Sequence, residues 1–436
     1  MPLITVIEPR WVIPVEPPSV LEAHAVVIDD DRIAAVLPTA EAAIRYPGAR
    51  RVSLPDHALI PGLINLHAHA AMTLMRGMAD DLALMDWLEN HIWPAETRMV
   101  SDAFVHDGTL LACAEMLRGG ITCFNDMYFF PEATARAALQ AGIRAALGII
   151  AIEHRSAYAS DARDYLAKGM ALRDTLRDEP LLSFCLAPHA PFTVSNETFA
   201  QIAVYAGELD IPIHIHLHES AHEISDSMKQ YGVRPLARLA GLGLLGPGLI
   251  AVHGVHLNSE EIRTLAQHGC SVAHCPSSNL KLASGIAPIA ELAQAGVNIG
   301  LGTDGAASNN RLDLFEEMRL AALLAKGRSG DPTAMPAHLA LECATLGGAR
   351  ALGMQDRLGS ITPGKLADLT AVNLSATDLT PCYDPVSHLV YACGREQVTD
   401  VWVGGRRRLA NRTLTDLDEA ALRSRAHHWQ NKILSS

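Results

Sequence analysis

Short apolar runs alternate with longer stretches rich in alanine and leucine through the middle of the chain. The runs lie at 63–69, 122–127, 145–152, 181–187, 211–218, 249–256, 270–274 and 297–303. Continuous apolar runs are typical of strands buried on both faces, and strands that alternate with helices form parallel sheets. Eight strand–helix units predict a (β/α)8 barrel of the TIM type.

The two ends of the chain have a different pattern. Short β-prone segments occur at 3–7, 11–13, 25–28 and 33–36, and again at 371–374 and 398–405, followed by a helical pattern at 416–433. Proline, aspartate and other polar residues separate them, as between the strands of a small β-domain. We therefore expect residues 1–57 and 361–436 to pack together as one β-sandwich-like domain beside a catalytic barrel at 58–360.

Polar side chains are concentrated where the predicted barrel strands end. The active site of a (β/α)8 barrel is built at the carboxyl ends of its strands, so this placement predicts a catalytic site there. The residues at these ends are His67, His69, Asn125, Asp126, Glu153, His154, His189, His216, His218, Glu219, His253, His256, His274 and Asp304.

His67 and His69 are separated by a single residue at the end of the first run. Residues i and i+2 of a strand point to the same face, so both imidazoles project into one space. Two converging imidazoles are suitable ligands for a transition metal, although an isolated His-x-His is more often structural. Their position at a barrel strand end favours the metal.

The fifth and eighth runs offer the remaining ligands. His214, His216 and His218 share one strand face ahead of Glu219, and proximity to the barrel mouth favours His216 or His218. Asp304 follows the eighth run among glycines that let other groups approach closely. Strand geometry leaves it open whether Asp304 is a ligand, a base, both, or the cap of the next helix.

Composition narrows the function further. The 436-residue chain is 49% hydrophobic and carries a net charge of −13, which disfavours nucleic acid as a partner. It has neither a Cys-x-x-Cys motif nor an apolar run of membrane-spanning length, and its first residues lack a leader pattern. We expect a soluble cytoplasmic protein, for which a homo-oligomer is left open. The G-x-G-x-x-G match at 241–246 precedes a strand instead of following one, which disfavours a dinucleotide site.

Four segments together resemble the amidohydrolase superfamily. They are PGLINLHAH at 61–69, HLHE at 216–219, HGVH at 253–256 and GTDG at 302–305, supported by ATLGGA at 344–349 and GKLADL at 364–369. Within it the chain most resembles the methylthioadenosine/S-adenosylhomocysteine deaminases, in the segments 72–77, 87–88, 93–96, 188–191, 278–282 and 302–310. Triazine hydrolases and guanine deaminases share several of these segments.

The resemblance assigns the catalytic roles. A metal histidine precedes a glutamate by three in the family pattern, which selects His216 and Glu219. It implies one divalent metal ion, zinc, with four ligands: His67, His69, His216 and Asp304. Glu219 would donate protons to the purine, while His253 and Asp304 would orient the attacking water and take its proton.

The resemblance also implies the substrate. Glu96 would hold the ribose hydroxyls, Trp87 would line the nucleoside pocket, and His189 and Glu219 would contact the base. The expected reaction converts 5'-methylthioadenosine to 5'-methylthioinosine and ammonia, with adenosine or S-adenosylhomocysteine as further substrates. A guanine, pterin or s-triazine hydrolase is the alternative, and a non-catalytic metal-binding barrel is the alternative from another class.

One departure from the family pattern bears on the substrate. Members that accept S-adenosylhomocysteine can carry arginines after the third strand, which meet the amino-acid carboxylate. Here that run is apolar as far as Ile152, and only Arg155 or Arg163 lies nearby. We therefore expect 5'-methylthioadenosine to be preferred over S-adenosylhomocysteine.

Overall fold

The computed structural model describes residues 4–82 and 84–435. Residues 1–3, where the first predicted strand begins, lie outside the described residues. The N-terminal part contains one helix, α1 (Thr39–Arg45), and five strands: β1 (Thr5–Val12), β2 (Leu21–Glu22), β3 (His24–Asp29), β4 (Arg32–Pro38) and β5 (Arg50–Pro61).

The middle of the chain forms an eight-stranded parallel sheet. Its strands neighbour one another in chain order: β6 (Leu63–Ala68), β7 (Ile121–Asp126), β8 (Arg144–Ala151), β9 (Leu182–Pro188), β10 (Ile213–Leu217), β11 (Leu249–His253), β12 (Ser271–His274) and β13 (Asn298–Leu301). The Asp304 N–H donates to the carbonyl oxygen of His67 at 3.0 Å, linking the chain just after β13 to β6. The predicted barrel is confirmed.

The two ends of the chain share a second sheet. It is completed by β14 (Leu369–Asn373), β15 (Val398–Val403), β16 (Arg406–Ala410) and β17 (Thr413–Leu414), and its order is β17-β16-β15-β14-β5-β1-β3-β4, with β2 beside β1. The central contact is the antiparallel pair β5–β14, which joins the N-terminal part to the C-terminal part. The domain boundaries at 57/58 and 360/361 stay a prediction.

Helices follow most of the barrel strands along the chain. The remaining helices are α2 (Leu84–Trp87), α3 (Trp93–Met99), α4 (Asp102–Arg118), α5 (Pro131–Ala141), α6 (Ala162–Leu176), α7 (Asn196–Leu209), α8 (Ala221–Tyr231), α9 (Pro235–Gly241), α10 (Ser259–His268), α11 (Pro276–Lys281), α12 (Ile289–Gln294), α13 (Ala306–Asn309), α14 (Leu314–Ser329), α15 (Ala337–Glu342), α16 (Gly348–Ala351), α17 (Pro385–Tyr391) and α18 (Glu419–Leu434). Turns of 3-10 helix lie at Ala70–Met75, Thr377–Leu379 and Arg395–Gln397, and π-helical turns at Leu88–Ile92 and Cys343–Gly347. Among the described residues, no helix is both long and apolar enough to span a bilayer.

A buried ion pair joins the barrel to the second sheet at the end away from the strand C-termini. Arg144, the first residue of β8, donates to both carboxylate oxygens of Asp368, at 2.8 and 3.1 Å. Asp368 also accepts the Gly404 N–H at 2.7 Å. Because both charged side chains are almost fully buried, removing either partner would leave an unpaired charge, which is strongly destabilising.

Candidate active site

Four predicted ligands converge at the carboxyl ends of β6, β10 and β13. Asp304 Oδ1 lies 3.3 Å from Nε2 of both His67 and His69, and His216 Nε2 lies 3.3 Å from His69 Nε2. A side chain at Gly302 would collide with His67, since an added Cβ would lie 2.8 Å from the His67 Cβ. Glycine at this position therefore allows β13 to end directly against the first ligand.

The other nitrogen of each imidazole faces a protein group. The Nδ1 contacts are His67 to His214 Nε2 at 2.9 Å, His69 to the Met127 carbonyl oxygen at 2.5 Å, and His216 to the His189 carbonyl oxygen at 2.6 Å. Such contacts fix the ring orientation and leave the Nε2 lone pair directed at the common centre, as in metal sites. His214 thus contacts a predicted ligand from behind.

Electrostatics at this centre suit a cation. Burial lowers the pKa of His67 to about 3 and the pKa of His216 well below its usual range, so both rings are neutral. Burial by itself would raise the pKa of Asp304, but the adjacent His67 holds it well below the usual range. His67 Nε2 is buried with no hydrogen-bond partner, as suits a metal ligand. Three imidazoles and one carboxylate are a donor set that zinc accepts.

Two groups suited to proton transfer lie beside the four predicted ligands. His253 Nε2 lies 3.8 Å from Glu219 Oε2, and His253 Nδ1 contacts Asn279 Oδ1 at 2.8 Å. Burial raises the pKa of Glu219, which favours a carboxyl group that can donate a proton. His218, His253 and Asp304 have positive φ angles of 56°, 71° and 60°. Such strained backbone at three strand ends is typical of functional sites.

Two predicted substrate-binding residues lie next to this centre. The His189 ring is 4.9 Å from that of His216, and its Nδ1 contacts Thr193 Oγ1 at 3.1 Å. Glu96, on α3, accepts a hydrogen bond from the Tyr128 hydroxyl at 2.6 Å. Burial raises the pKa of Glu96. Each of the two side chains is therefore held by a hydrogen-bonding partner.

Trp87 has a different environment. Its side chain is buried in an apolar cluster that includes Met72, Met75 and Phe104, together with Trp429 from the C-terminal helix α18. Its predicted role in lining a nucleoside pocket stays a prediction.

Several residues that support the site were not singled out as site residues from the sequence. Ser278 and Ser308 donate to Asp304 Oδ2, at 2.6 and 2.9 Å. The others are Asn279 beside His253, Tyr128 beside Glu96, and Glu223 beside Glu219. Ser278 and Asn279 lie in the family-like segment 278–282, which was the available signal; nothing in the sequence around Tyr128 indicated its partner.

Comparison with solved structures supports the same architecture. An adenosine deaminase from Xanthomonas campestris, with bound zinc, is 52% identical and superposes with a TM-score of 0.98, covering 100% of this chain and 99% of that one. A zinc complex of the atrazine chlorohydrolase TrzN from Arthrobacter aurescens is 25% identical with a TM-score of 0.89, over 98% and 99% of the two chains.

Named relatives match along almost the whole chain. A 5-methylthioadenosine/S-adenosylhomocysteine deaminase from Teredinibacter turnerae is 47% identical, over 98% of this chain and 97% of that protein. A 5'-deoxyadenosine deaminase from Methanothermobacter thermautotrophicus is 43% identical, over 92% and 94%. A profile of the amidohydrolase family matches residues 58–408. With its barrel, its second sheet and most of its length matched in this way, the chain belongs to the amidohydrolase family.

Proposed function

We propose that this protein hydrolytically deaminates adenine nucleosides, with 5'-methylthioadenosine as its preferred substrate. The observation that carries the proposal is the position of Glu219, 3.8 Å from His253 and beside the three histidines and the aspartate. A protein that only bound a metal would not need a carboxyl group with a raised pKa at this point. The names of the relatives support the same chemistry.

The proposed ligands of one zinc ion are His67, His69, His216 and Asp304. When bound, the ion supplies Lewis acidity that lowers the pKa of water towards neutrality. The buried, neutral rings of His67 and His216 keep their lone pairs available for it. The serine hydroxyls on Asp304 hold its second oxygen in place, so its first oxygen stays directed at the histidines.

The proposed proton transfers follow from the two groups beside the ligands. Glu219 donates a proton to N1 of the purine, which makes C6 electrophilic. Water forms a new bond to C6 while His253 and Asp304 accept its proton. Glu219, now a carboxylate, takes the proton left on the new C6 oxygen and passes it to the 6-amino nitrogen. The C6–N bond breaks, ammonia leaves a 6-oxo product, and the proton held by His253 and Asp304 returns to Glu219.

The proposed binding of the nucleoside uses groups on both sides of the barrel mouth. Glu96 accepts hydrogen bonds from the ribose hydroxyls, His189 contacts the base, and Trp87 lines the pocket. Tyr128 holds one oxygen of Glu96, and no described residue forms a hydrogen bond with the other, which is therefore available to the sugar.

The preference for 5'-methylthioadenosine rests on the chain after β8. Ile150 is buried and Ile152 partly buried, whereas Arg155 and Arg163 are exposed. An exposed arginine recognises a carboxylate weakly, because solvent screens the pair. A small apolar 5'-tail does not require a cationic partner, so it is compatible with these residues.

The test is ammonia release from a panel of adenine nucleosides, guanine, pterins and s-triazines. We expect turnover of the adenine nucleosides, and we expect Glu219→Gln to abolish it while zinc content stays unchanged. Glu260→Gln, which removes an exposed carboxylate on α10, is the matched control and should behave as wild type. Normal turnover in Glu219→Gln, or wild-type turnover confined to triazines or pterins, would contradict the proposal.

A further inference from the structure

The backbone that carries Glu219 is held by a second glutamate. β10 ends at Leu217, and the next residue, His218, turns the chain with a left-handed φ of 56°. The N–H groups of His218 and Glu219 both donate to the carboxylate of Glu223, to Oε1 at 3.0 Å and to Oε2 at 2.9 Å. One carboxylate thus satisfies the two donors of the strained turn.

This geometry departs from ordinary helix capping. Ser220 is the N-cap of α8, accepts the Glu223 N–H at 3.2 Å, and is followed by Glu223 at the third helical position. In a capping box, a glutamate at that position reaches back to the N–H of the N-cap itself. Here the carboxylate instead accepts hydrogen bonds from the N–H groups of the two residues before the N-cap, His218 and Glu219.

Burial of the Glu223 carboxylate is unfavourable for the stability of the fold. Glu223 is only 5% exposed, and burial raises its pKa to about 7. Glu223 makes no direct ion pair within the part of the chain that the structure describes, and the charges of His253 and Arg234 act on it only from a greater distance. A buried acid without a directly paired cation contributes less to stability than an apolar side chain would. Its two backbone contacts instead restrict where Glu219 lies.

We propose that Glu223 is a positioning residue that fixes the catalytic carboxyl group of Glu219 by holding its backbone. The inference rests on the proposed role of Glu219 as the proton donor. Small displacements of a proton donor are sufficient to slow catalysis, because proton transfer requires hydrogen-bond distance to the reacting atom.

Glu223→Gln tests the proposal with the smallest change of shape. A glutamine offers one oxygen, and its amide NH2 must face the second backbone donor, so one N–H loses its acceptor. For 5'-methylthioadenosine we expect kcat to fall by about tenfold to a hundredfold, while KM and zinc content stay near wild type. Loss of zinc would mean that Glu223 acts on the ligand His216, which would overturn the proposal.

The leaving group separates an effect on Glu219 from a general distortion. Chloride leaves without a proton, so a 6-chloropurine nucleoside needs Glu219 only at N1. We therefore expect Glu223→Gln to slow release of ammonia by a larger factor than release of chloride, with Glu219→Gln showing the same bias. Equal factors for the two substrates, or an unchanged kcat, would overturn the positioning role.

Asp368→Asn is the matched control, because Asp368 is also a buried carboxylate that accepts a backbone N–H, but at the other end of the barrel. It should lower Tm and leave kcat unchanged. If Glu223→Gln does not fold, Glu223→Asp is used instead, because aspartate keeps both acceptor oxygens on a side chain that is one methylene shorter. We again expect release of ammonia to slow by a larger factor than release of chloride. The wild-type protein is assayed before any variant. If it deaminates no adenine nucleoside, that result refutes the proposed function and not the positioning role of Glu223.

Discussion

Replacing Tyr128 with phenylalanine removes one oxygen atom and leaves the partly buried Glu96 without the hydrogen bond that the tyrosine donates. The hydroxyl lies 2.6 Å from Glu96 Oε1, and Tyr128 is 5% exposed. A hydrogen bond of this length to a partly buried carboxylate is of the strong, charge-assisted kind whenever that carboxylate is ionised. Its removal therefore tests whether Glu96 must be fixed in place to bind the ribose.

The expected magnitude follows from that contact. A hydrogen bond to a charged group contributes about 1.5 to 3 kcal/mol. At about 1.4 kcal/mol per factor of ten, Tyr128→Phe should lower kcat/KM for 5'-methylthioadenosine by about 10- to 150-fold. Most of the loss should appear in KM, because the ribose is bound in the ground state as well as in the transition state.

The pH dependence has a definite sign. Burial raises the pKa of Glu96, and the Tyr128 hydrogen bond lowers it. Losing the hydroxyl raises the pKa further, so the carboxylate becomes protonated at a higher pH in the variant. The acidic limb of the kcat/KM profile for 5'-methylthioadenosine should therefore move to higher pH.

The assay is steady-state ammonia release across pH, with Tyr165→Phe as control. Tyr165 is also buried, lies on the outer helix α6, and donates its hydroxyl to the His154 carbonyl oxygen at 3.3 Å. The control should keep wild-type kcat/KM. A value of kcat/KM for Tyr128→Phe within about twofold of wild type would refute the reasoning, since that is less than the weakest charged hydrogen bond predicts.

Three further predictions concern the metal, the substrate and acid stability. Chelation should abolish ammonia release and added zinc should restore it, whereas His67→Asn should bind less zinc, measured by metal analysis, and stay inactive. The ratio of kcat/KM values should favour 5'-methylthioadenosine over S-adenosylhomocysteine; equal values would contradict the proposed preference. Burial lowers the pKa of His274 to about 3, below its value in the unfolded chain. The free energy of unfolding is therefore unaffected by this group at neutral pH and falls by about 1.4 kcal/mol per pH unit below about 6.5. The free energy of unfolding of His274→Gln, measured with urea, should fall less steeply between pH 6 and pH 4 than that of wild type. The same pH dependence in both proteins would contradict the lowered pKa of His274.

The sequence predicted the barrel and the convergence of its polar residues because both depend on strand periodicity. Alternation brings His67 and His69 to one face, and parallel strands bring their carboxyl ends to one edge. It did not resolve the choice among His214, His216 and His218, since all three share a face. That choice came from the family resemblance, and in the structure it is the His216 ring that lies against His69.

The supporting contacts could not be predicted, because they join segments distant in the chain or break a local rule. Nothing local pairs Tyr128 with Glu96 across two βα loops. The capping pattern at 220–223 would have assigned Glu223 to Ser220, whereas its carboxylate reaches His218 and Glu219. The long strand β5 was also missed, since charged residues and a proline interrupt its apolar pattern.

The pairing of β5 with β14 sets an order for the folding of this chain. His57 to Pro61 pair with Asn373 to Leu369, so about three hundred residues of barrel must be synthesised before the edge of β5 is covered. Until then a long strand presents unpaired backbone groups, a ready template for association with other chains. A truncation after residue 360 would make that exposure permanent, and we expect such a fragment to aggregate even though every proposed zinc ligand is present in it.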